Sequence, residues 1–387
     1  MKIKRTIEKE ILNNLFKGKI ITIYGARRTG KTTLSKEILT LFPNKKTKYL
    51  SCDEPDVIPS LTNKTSIEIK NFIGNYDLVV LDEAQRIHNI GLTLKLLVDN
   101  YPDLQIIATG SSSFELANKV REPLTGRHID FYLNPIMISE LASIADPISI
   151  SRNLESNIIF GMYPEIITNK DNQINKDILK RIAVDYLFKD LFIYDGIRNS
   201  KLLQDLAQLL ALRIGGLISY DEIAKELKTS RQTINRYIDL LEQVFVLFRA
   251  TPFHTNKTKE ITKQHKIYFY DTGIRNALIG NFDPISLRTD KGVLFENFVI
   301  AEIAKINHPE ILNHPQFWRT KQKAEVDYIR ATPDIKNIYA VEIKFSKEKS
   351  PSSPPLSFKN EYPNAKFKSI NKENIVDYFL NKKYLNQ

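Results

Sequence analysis

Residues 25–32 read Gly-Ala-Arg-Arg-Thr-Gly-Lys-Thr, between the β-rich run KIITIY (19–24) and the helical stretch TLSKEILTLF. A G-x-x-x-x-G-K-T loop between a strand and a helix is the context of a phosphate-binding P-loop. The glycines let the backbone curl, so that successive N–H groups face the phosphates. The helix that follows adds the partial positive charge of its N-terminus. Lys31 is placed to reach the β- and γ-phosphates, and the Thr32 hydroxyl to ligate Mg²⁺. The expected nucleotide-binding set is Gly25, Arg28, Thr29, Gly30, Lys31, Thr32 and Thr33, with ATP and Mg²⁺ as cofactors.

A second element supports the first. Asp77-Leu78-Val79-Val80-Leu81-Asp82-Glu83 is an apolar run ending in two carboxylates. A parallel strand buried on both faces is continuously apolar, so charge appears only where it emerges at its ligand-binding edge. Asp82 is expected to hold Mg²⁺ through water and Glu83 to polarise the attacking water. Further strands are expected at 47–53, 104–112 and 128–135, with a helix at 90–101. This alternation predicts an α/β fold with a doubly wound parallel sheet. Thr109, Ser111 and Ser112 lie where the 104–112 strand ends, beside the expected γ-phosphate. Ser111 is the candidate sensor of that group, and a plain turn-forming serine run is the alternative.

GARRTGKTT, VVLDEAQRI, ATGSSSFEL and LTGRHIDFYLNP together resemble the AAA+ ATPases. More narrowly, they resemble a prokaryotic group whose C-terminal domain has no characterised function. The resemblance implies an AAA+ core over 1–136 and a homo-oligomeric ring, often a hexamer. It also implies an arginine finger that acts in the neighbouring subunit. Arg127 fits that role best and Arg121 second, with an ordinary surface arginine as the alternative. No arginine is assigned as a second sensor.

Residues 137–195 carry apolar positions at three- and four-residue spacing, as in amphipathic helices, and are expected to form a helical lid. Gly161-Met162-Tyr163-Pro164 resembles a turn of the same group. Residues 196–258 predict a winged-helix domain. Ser219 caps one helix, Lys228-Thr229-Ser230 turns, a second helix starts at Arg231, and VFVLFRATPF supplies a strand pair. Lys228, Ser230, Arg231, Gln232, Thr233 and Arg236, with Asn235, are donors suited to phosphates and base edges. Docking of a protein is the alternative use of such a module.

Residues 259–387 resemble the PD-(D/E)xK nuclease fold, a C-terminal α/β restriction-endonuclease-like domain. The resemblance rests on LFEN with Glu296, on EVD with Asp327, and on Glu342-Ile343-Lys344. Residues i and i+2 of a strand face the same side, so Glu342 and Lys344 share one site. Glu296, Asp327 and Glu342 are the expected metal set there, and Lys344 is expected to orient or deprotonate water. A cross-strand charge pair is the bland alternative.

Composition sets the outer limits. At about 150 residues per domain, 387 residues predict two or three domains. The single cysteine, Cys52, rules out an intrachain disulfide and a cysteine-based zinc site. No apolar run approaches the roughly 18 residues that span a bilayer. The charged start MKIKRTIEKEILNNLF lacks a signal-peptide core. A soluble, cytoplasmic protein with no membrane partner is expected. The formal charge of +11 favours a polyanionic partner, DNA. The expected function is an oligomeric ATPase that couples hydrolysis to DNA remodelling or translocation, with Mg²⁺-dependent cleavage as a separate question. The competing reading is a nucleotide-dependent switch or DNA-binding regulator that turns over slowly and carries an inactive nuclease fold.

Overall fold

The computed structural model describes residues 2–110, 124–185, 199–253, 264–306, 314–332 and 336–381. The chain divides into two compact units. One comprises Lys2–Pro135 with Gln243–Phe245, the other Ile136–Glu242 with Val246–Gln387.

The first unit runs α1 (Thr6–Asn14), β1 (Ile20–Tyr24), α2 (Lys31–Thr40), β2 (Thr47–Ser51), α3 (Val57–Leu61), α4 (Ser66–Ile73), β3 (Leu78–Asp82), α5 (Ile90–Asn100), β4 (Gln105–Gly110) and β5 (His128–Tyr132). Its five strands lie in the order β2-β3-β4-β1-β5, and every neighbouring pair is parallel. Each residue of β1, β3 and β4 is buried, and their largely apolar runs suit strands covered on both faces. Ile7 and Ile11 of α1 and Leu34 and Ile38 of α2 pack against Ile21, Ile23, Val80 and Ile107 of the sheet. This order puts β4 between the P-loop strand β1 and the acidic strand β3. The C-terminal ends of all three therefore open on one edge.

The second unit begins with helices α6 (Ile138–Leu141), α7 (Pro147–Phe160), α8 (Pro164–Thr168), α9 (Asn172–Asp185) and α10 (Ser200–Leu212). There follow β6 (Leu217–Ile218), α11 (Tyr220–Glu226), α12 (Arg231–Gln243), β7 (Leu247–Pro252), β8 (His265–Phe269), α13 (Thr272–Ile279) and α14 (Lys291–Ile306). The remaining elements are β9 (Gln316–Arg319), β10 (Glu325–Ala331), β11 (Ile338–Ile343), α15 (Leu356–Glu361), β12 (Lys366–Ile370) and α16 (Ile375–Leu380). One seven-stranded sheet runs β12-β11-β10-β9-β7-β8-β6.

That sheet corrects one expectation. VFVLFRATPF supplies a single strand, β7, rather than a strand pair. Its antiparallel partner is β8, with Arg249 opposite Ile267. The other side of β7 pairs in parallel with β9, Thr251 opposite Gln316. An exposed hairpin edge leaves backbone donors and acceptors unpaired, and β9 satisfies them. The helix-turn-helix segment and the C-terminal strands thus share one sheet.

The 137–195 segment interlocks with the same body. Gly161 ends α7 at φ +76°, and a Cβ there would lie 2.0 Å from Asp271 Oδ1. Asp271 Oδ2 accepts from the Met162 amide at 2.6 Å. A Cβ on Gly273 would lie 2.1 Å from the Phe160 carbonyl oxygen. Glu302 Oε2 accepts from the Ile138 amide at 2.7 Å.

Candidate functional site

The P-loop sits at the C-terminal end of β1. Gly25 has φ +152°, and a Cβ there would lie 2.2 Å from the Leu133 carbonyl oxygen, so only glycine fits. Gly30, at φ +98°, caps α2 without any side-chain hydrogen bond to the first turn. An anion suits such a helix start. Thr29 is fully buried and donates to the Ala26 carbonyl at 2.8 Å, which holds the curl. Lys31 is buried and reaches across the loop, donating to the carbonyls of Gly25 and Ala26 at 2.8 and 2.9 Å. Arg28 (φ +60°) and Thr33 are exposed on the loop and the first turn of α2.

The acidic strand meets this loop. Thr32 Oγ1 donates to Asp82 Oδ2 at 2.7 Å. Tyr49 Oη on β2 donates to the same oxygen at 2.6 Å, and Thr109 Oγ1 on β4 donates to Asp82 Oδ1. Burial and the Asp82 carboxylate push the Tyr49 phenol well up, so it stays a donor. Glu83 leaves the strand at φ +54°, a left-handed conformation that costs energy for a non-glycine residue. Its amide donates to Thr109 Oγ1 at 3.1 Å, and its carboxylate accepts from Gln85 Nε2. The hydroxyl–carboxylate pair Thr32–Asp82 is a hard oxygen donor set that fits Mg²⁺. The glycine curl and the α2 N-terminus fit the phosphates of a nucleotide.

Of the three polar residues expected beside the phosphate, Thr109 is in the site. Ser111 and Ser112, and the second finger candidate Arg121, lie outside the described residues. Arg127 precedes β5, and its carbonyl accepts from the amide of Ile20 at the start of β1. It therefore lies at the sheet edge opposite the P-loop, with Nε 2.6 Å from Asp99 Oδ1.

Two contributors escaped the sequence reading. Arg5, buried at the head of α1, donates to the Thr29 carbonyl at 2.7 Å and the Asn134 carbonyl at 2.5 Å. It ties the P-loop to the segment after β5. Tyr49 is the other. Both act across long sequence separations, and neither belongs to a motif.

In the second unit Ser230 Oγ accepts from the Thr233 amide at 3.1 Å and so caps α12. Ile234, Tyr237, Ile238 and Leu241 face inward, while Arg231, Gln232, Asn235 and Arg236 are exposed, as are Lys228 and Ser230. Arg231 pairs with Asp221 at 3.2 Å between two largely exposed side chains, a contact worth little in water.

Glu296 (α14), Asp327 (β10), Glu342 (β11) and Lys344 do come together. Lys344 Nζ lies 2.5 Å from Glu342 Oε1 and 3.7 Å from Asp327 Oδ2. Asp327 Oδ2 also accepts from the Ile343 amide at 2.7 Å. Burial, reinforced by Glu296 and Glu342, pushes Asp327 up to about 8, against the pull of Lys344 and Lys266. Lys266 on β8, absent from the expected set, is 1% exposed and pairs with Glu296 at 3.2 Å and with Glu325. Tyr268 Oη donates to Glu296 Oε1 at 2.6 Å. Among the described residues no three carboxylate, histidine or cysteine side chains are placed to hold a metal ion. Glu296, Asp327 and Glu342 share a cluster, but their partners there are ammonium, hydroxyl and backbone amide groups.

Residues 17–142 match the family described as "AAA domain". That match spans 126 of the 387 residues. Residues 151–284 match a domain of unknown function (DUF8612), and residues 291–382 match another (DUF4143). An uncharacterized protein of Mycobacterium tuberculosis is 27% identical over 81% of this chain and 68% of its own length. One of Methanocaldococcus jannaschii is 27% identical over 84% of this chain and 75% of its own. Among solved structures, a DNA polymerase III gamma subunit-related protein of Thermotoga maritima aligns at 13% identity. It covers 61% of this chain and 95% of its own, with a TM-score of 0.25, too low to establish a common fold. No described helix is long and apolar enough to cross a membrane.

Proposed function

We propose that the protein is an ATP-hydrolysing oligomer that acts on DNA through its second unit. The observation that carries this reading is the 2.7 Å contact of Thr32 with Asp82 beside the buried Lys31. The glycine curl, Lys31, Thr32 and Asp82 lie at one sheet edge, which supports a nucleotide site there. Thr32 and Asp82 would hold Mg²⁺, which would supply positive charge to the phosphate oxygens. Lys31, which donates to two loop carbonyls, would donate instead to the β- and γ-phosphates. Tyr49 and Thr109 hold the Asp82 carboxylate in one orientation. Glu83 accepts a hydrogen bond from the attacking water and aims it. Arg127, at the far edge of the sheet, is free of that role in its own subunit and suits a role in a neighbour's.

The exposed donors of α12 and the turn before it, with the +11 charge, support DNA as the partner. Fluorescence anisotropy with single-stranded, duplex and branched DNA tests this. Arg231→Ala with Arg236→Ala should weaken binding and lower the salt-dependence slope by about 2, one per lost phosphate contact. An unchanged slope would return the charge to mere solubility.

One observation favours the slower, switch-like reading. Gln85 holds the Glu83 carboxylate that must aim the water. If this contact restrains turnover, Gln85→Ala raises the basal ATPase rate by about tenfold, the equivalent of one hydrogen bond to a charged group. An unchanged or lower rate removes the restraint.

A further inference from the structure

Lys266 belongs neither to the candidate nucleotide site nor to the exposed donors of α12. It is a strand residue 1% exposed, and burying an unpaired ammonium costs several kcal/mol. Its Nζ lies over the Phe317 ring, 5.3 Å from the centroid. Its charge meets Glu296 at 3.2 Å and the Glu325 carboxylate. Arg319 Nη1 takes the other oxygen of Glu325 at 2.7 Å, and Lys344 takes Glu342. The carboxylates that the nuclease resemblance assigns to Mg²⁺ therefore already have cations, all supplied by this chain.

We infer that Lys266 is a built-in counter-ion that closes the Glu296–Asp327–Glu342 cluster to divalent metal. The ammonium occupies the electrostatic place of the metal, and the domain does not use a metal to cut DNA. A lysine can neutralise carboxylates as a metal does. It cannot offer an open coordination position to a water or a phosphate oxygen. The cluster then serves as a set of ion pairs that ties α14 to β8, β10 and β11. This goes beyond the ATPase reading and stands or falls apart from it, because Asp82 and Asp327 lie in different units.

The test counts bound Mn²⁺ on the nucleotide-free full chain by electron paramagnetic resonance. Any Mn²⁺ site in the wild type should be lost in Asp82→Asn and retained in Asp327→Asn. Lys266→Met should gain one further site, at least tenfold tighter than any cluster binding in the wild type. Adding Asp327→Asn should abolish that site and Asp82→Asn should leave it. Lys266→Arg, which keeps the charge, should match the wild type. The rival is an ion shared by Asp327 and Glu342, whose Oε2 is buried and accepts no hydrogen bond. A wild-type Mn²⁺ site lost in Asp327→Asn would establish that rival and overturn the inference. So would a folded Lys266→Met that gains nothing. If Lys266→Met does not fold, the wild type and Asp327→Asn decide: equal Mn²⁺ counts support the inference, and a difference overturns it.

Discussion

Lys31→Ala lowers the ATP turnover rate by at least about a hundredfold, the usual loss when one preorganised donor to developing charge is removed. The substitution is clean in this fold. Lys31 is the first residue of α2, and alanine is the best helix former, so the helix is kept. The two hydrogen bonds lost run to loop carbonyls whose curl is also held by Thr29 and by Arg5. Melting should therefore stay close to that of the wild type while turnover disappears. A variant that retained most of its activity would mean that the phosphates are held elsewhere.

Gly161→Ala should destabilise the second unit by on the order of 3 kcal/mol, the upper range for forcing a side chain into a sparsely populated backbone region. Two costs add here. The backbone lies at φ +76° and ψ −169°, where residues other than glycine are rarely found. The new methyl would also land 2.0 Å from Asp271 Oδ1. Asp271 cannot simply move away. Its Oδ2 holds the Met162 amide and its Oδ1 the Ile274 amide at 3.1 Å, and it is buried. Differential scanning calorimetry should show the transition several degrees lower. Wild-type melting would show that the interlock of Gly161 with Asp271 does not support the fold.

The candidate nucleotide site is legible because its chemistry needs residues adjacent in sequence. The curl from Gly25 to Thr32, and Asp82 next to Glu83, must each be contiguous to work. The Glu342–Lys344 pair was legible for a similar reason, since strand alternation puts i and i+2 on one side. Arg5, Tyr49 and Lys266 were not legible. An arginine in a charged N-terminal stretch, or a lysine in the strand HKIYF, reads as solvated until a distant carbonyl or carboxylate is seen to face it. The domain limits at 195 and 258 were drawn where helix patterns changed. A chain boundary of that kind says nothing of hydrogen bonds across it, and β7 pairs with both β8 and β9. The acidic motif reads in sequence as a metal set, and the structure brings Glu296, Asp327, Glu342 and Lys344 together. What the motif could not show is the cation already inside it.

The most direct measurement of the central claim is steady-state ATP hydrolysis by the full chain with Mg²⁺, with and without single-stranded, duplex and branched DNA. Hydrolysis that requires Lys31 and Asp82, and that rises with at least one DNA structure, is the predicted result. Hydrolysis indifferent to every DNA, or unaffected by Lys31→Ala and Asp82→Asn, would contradict it.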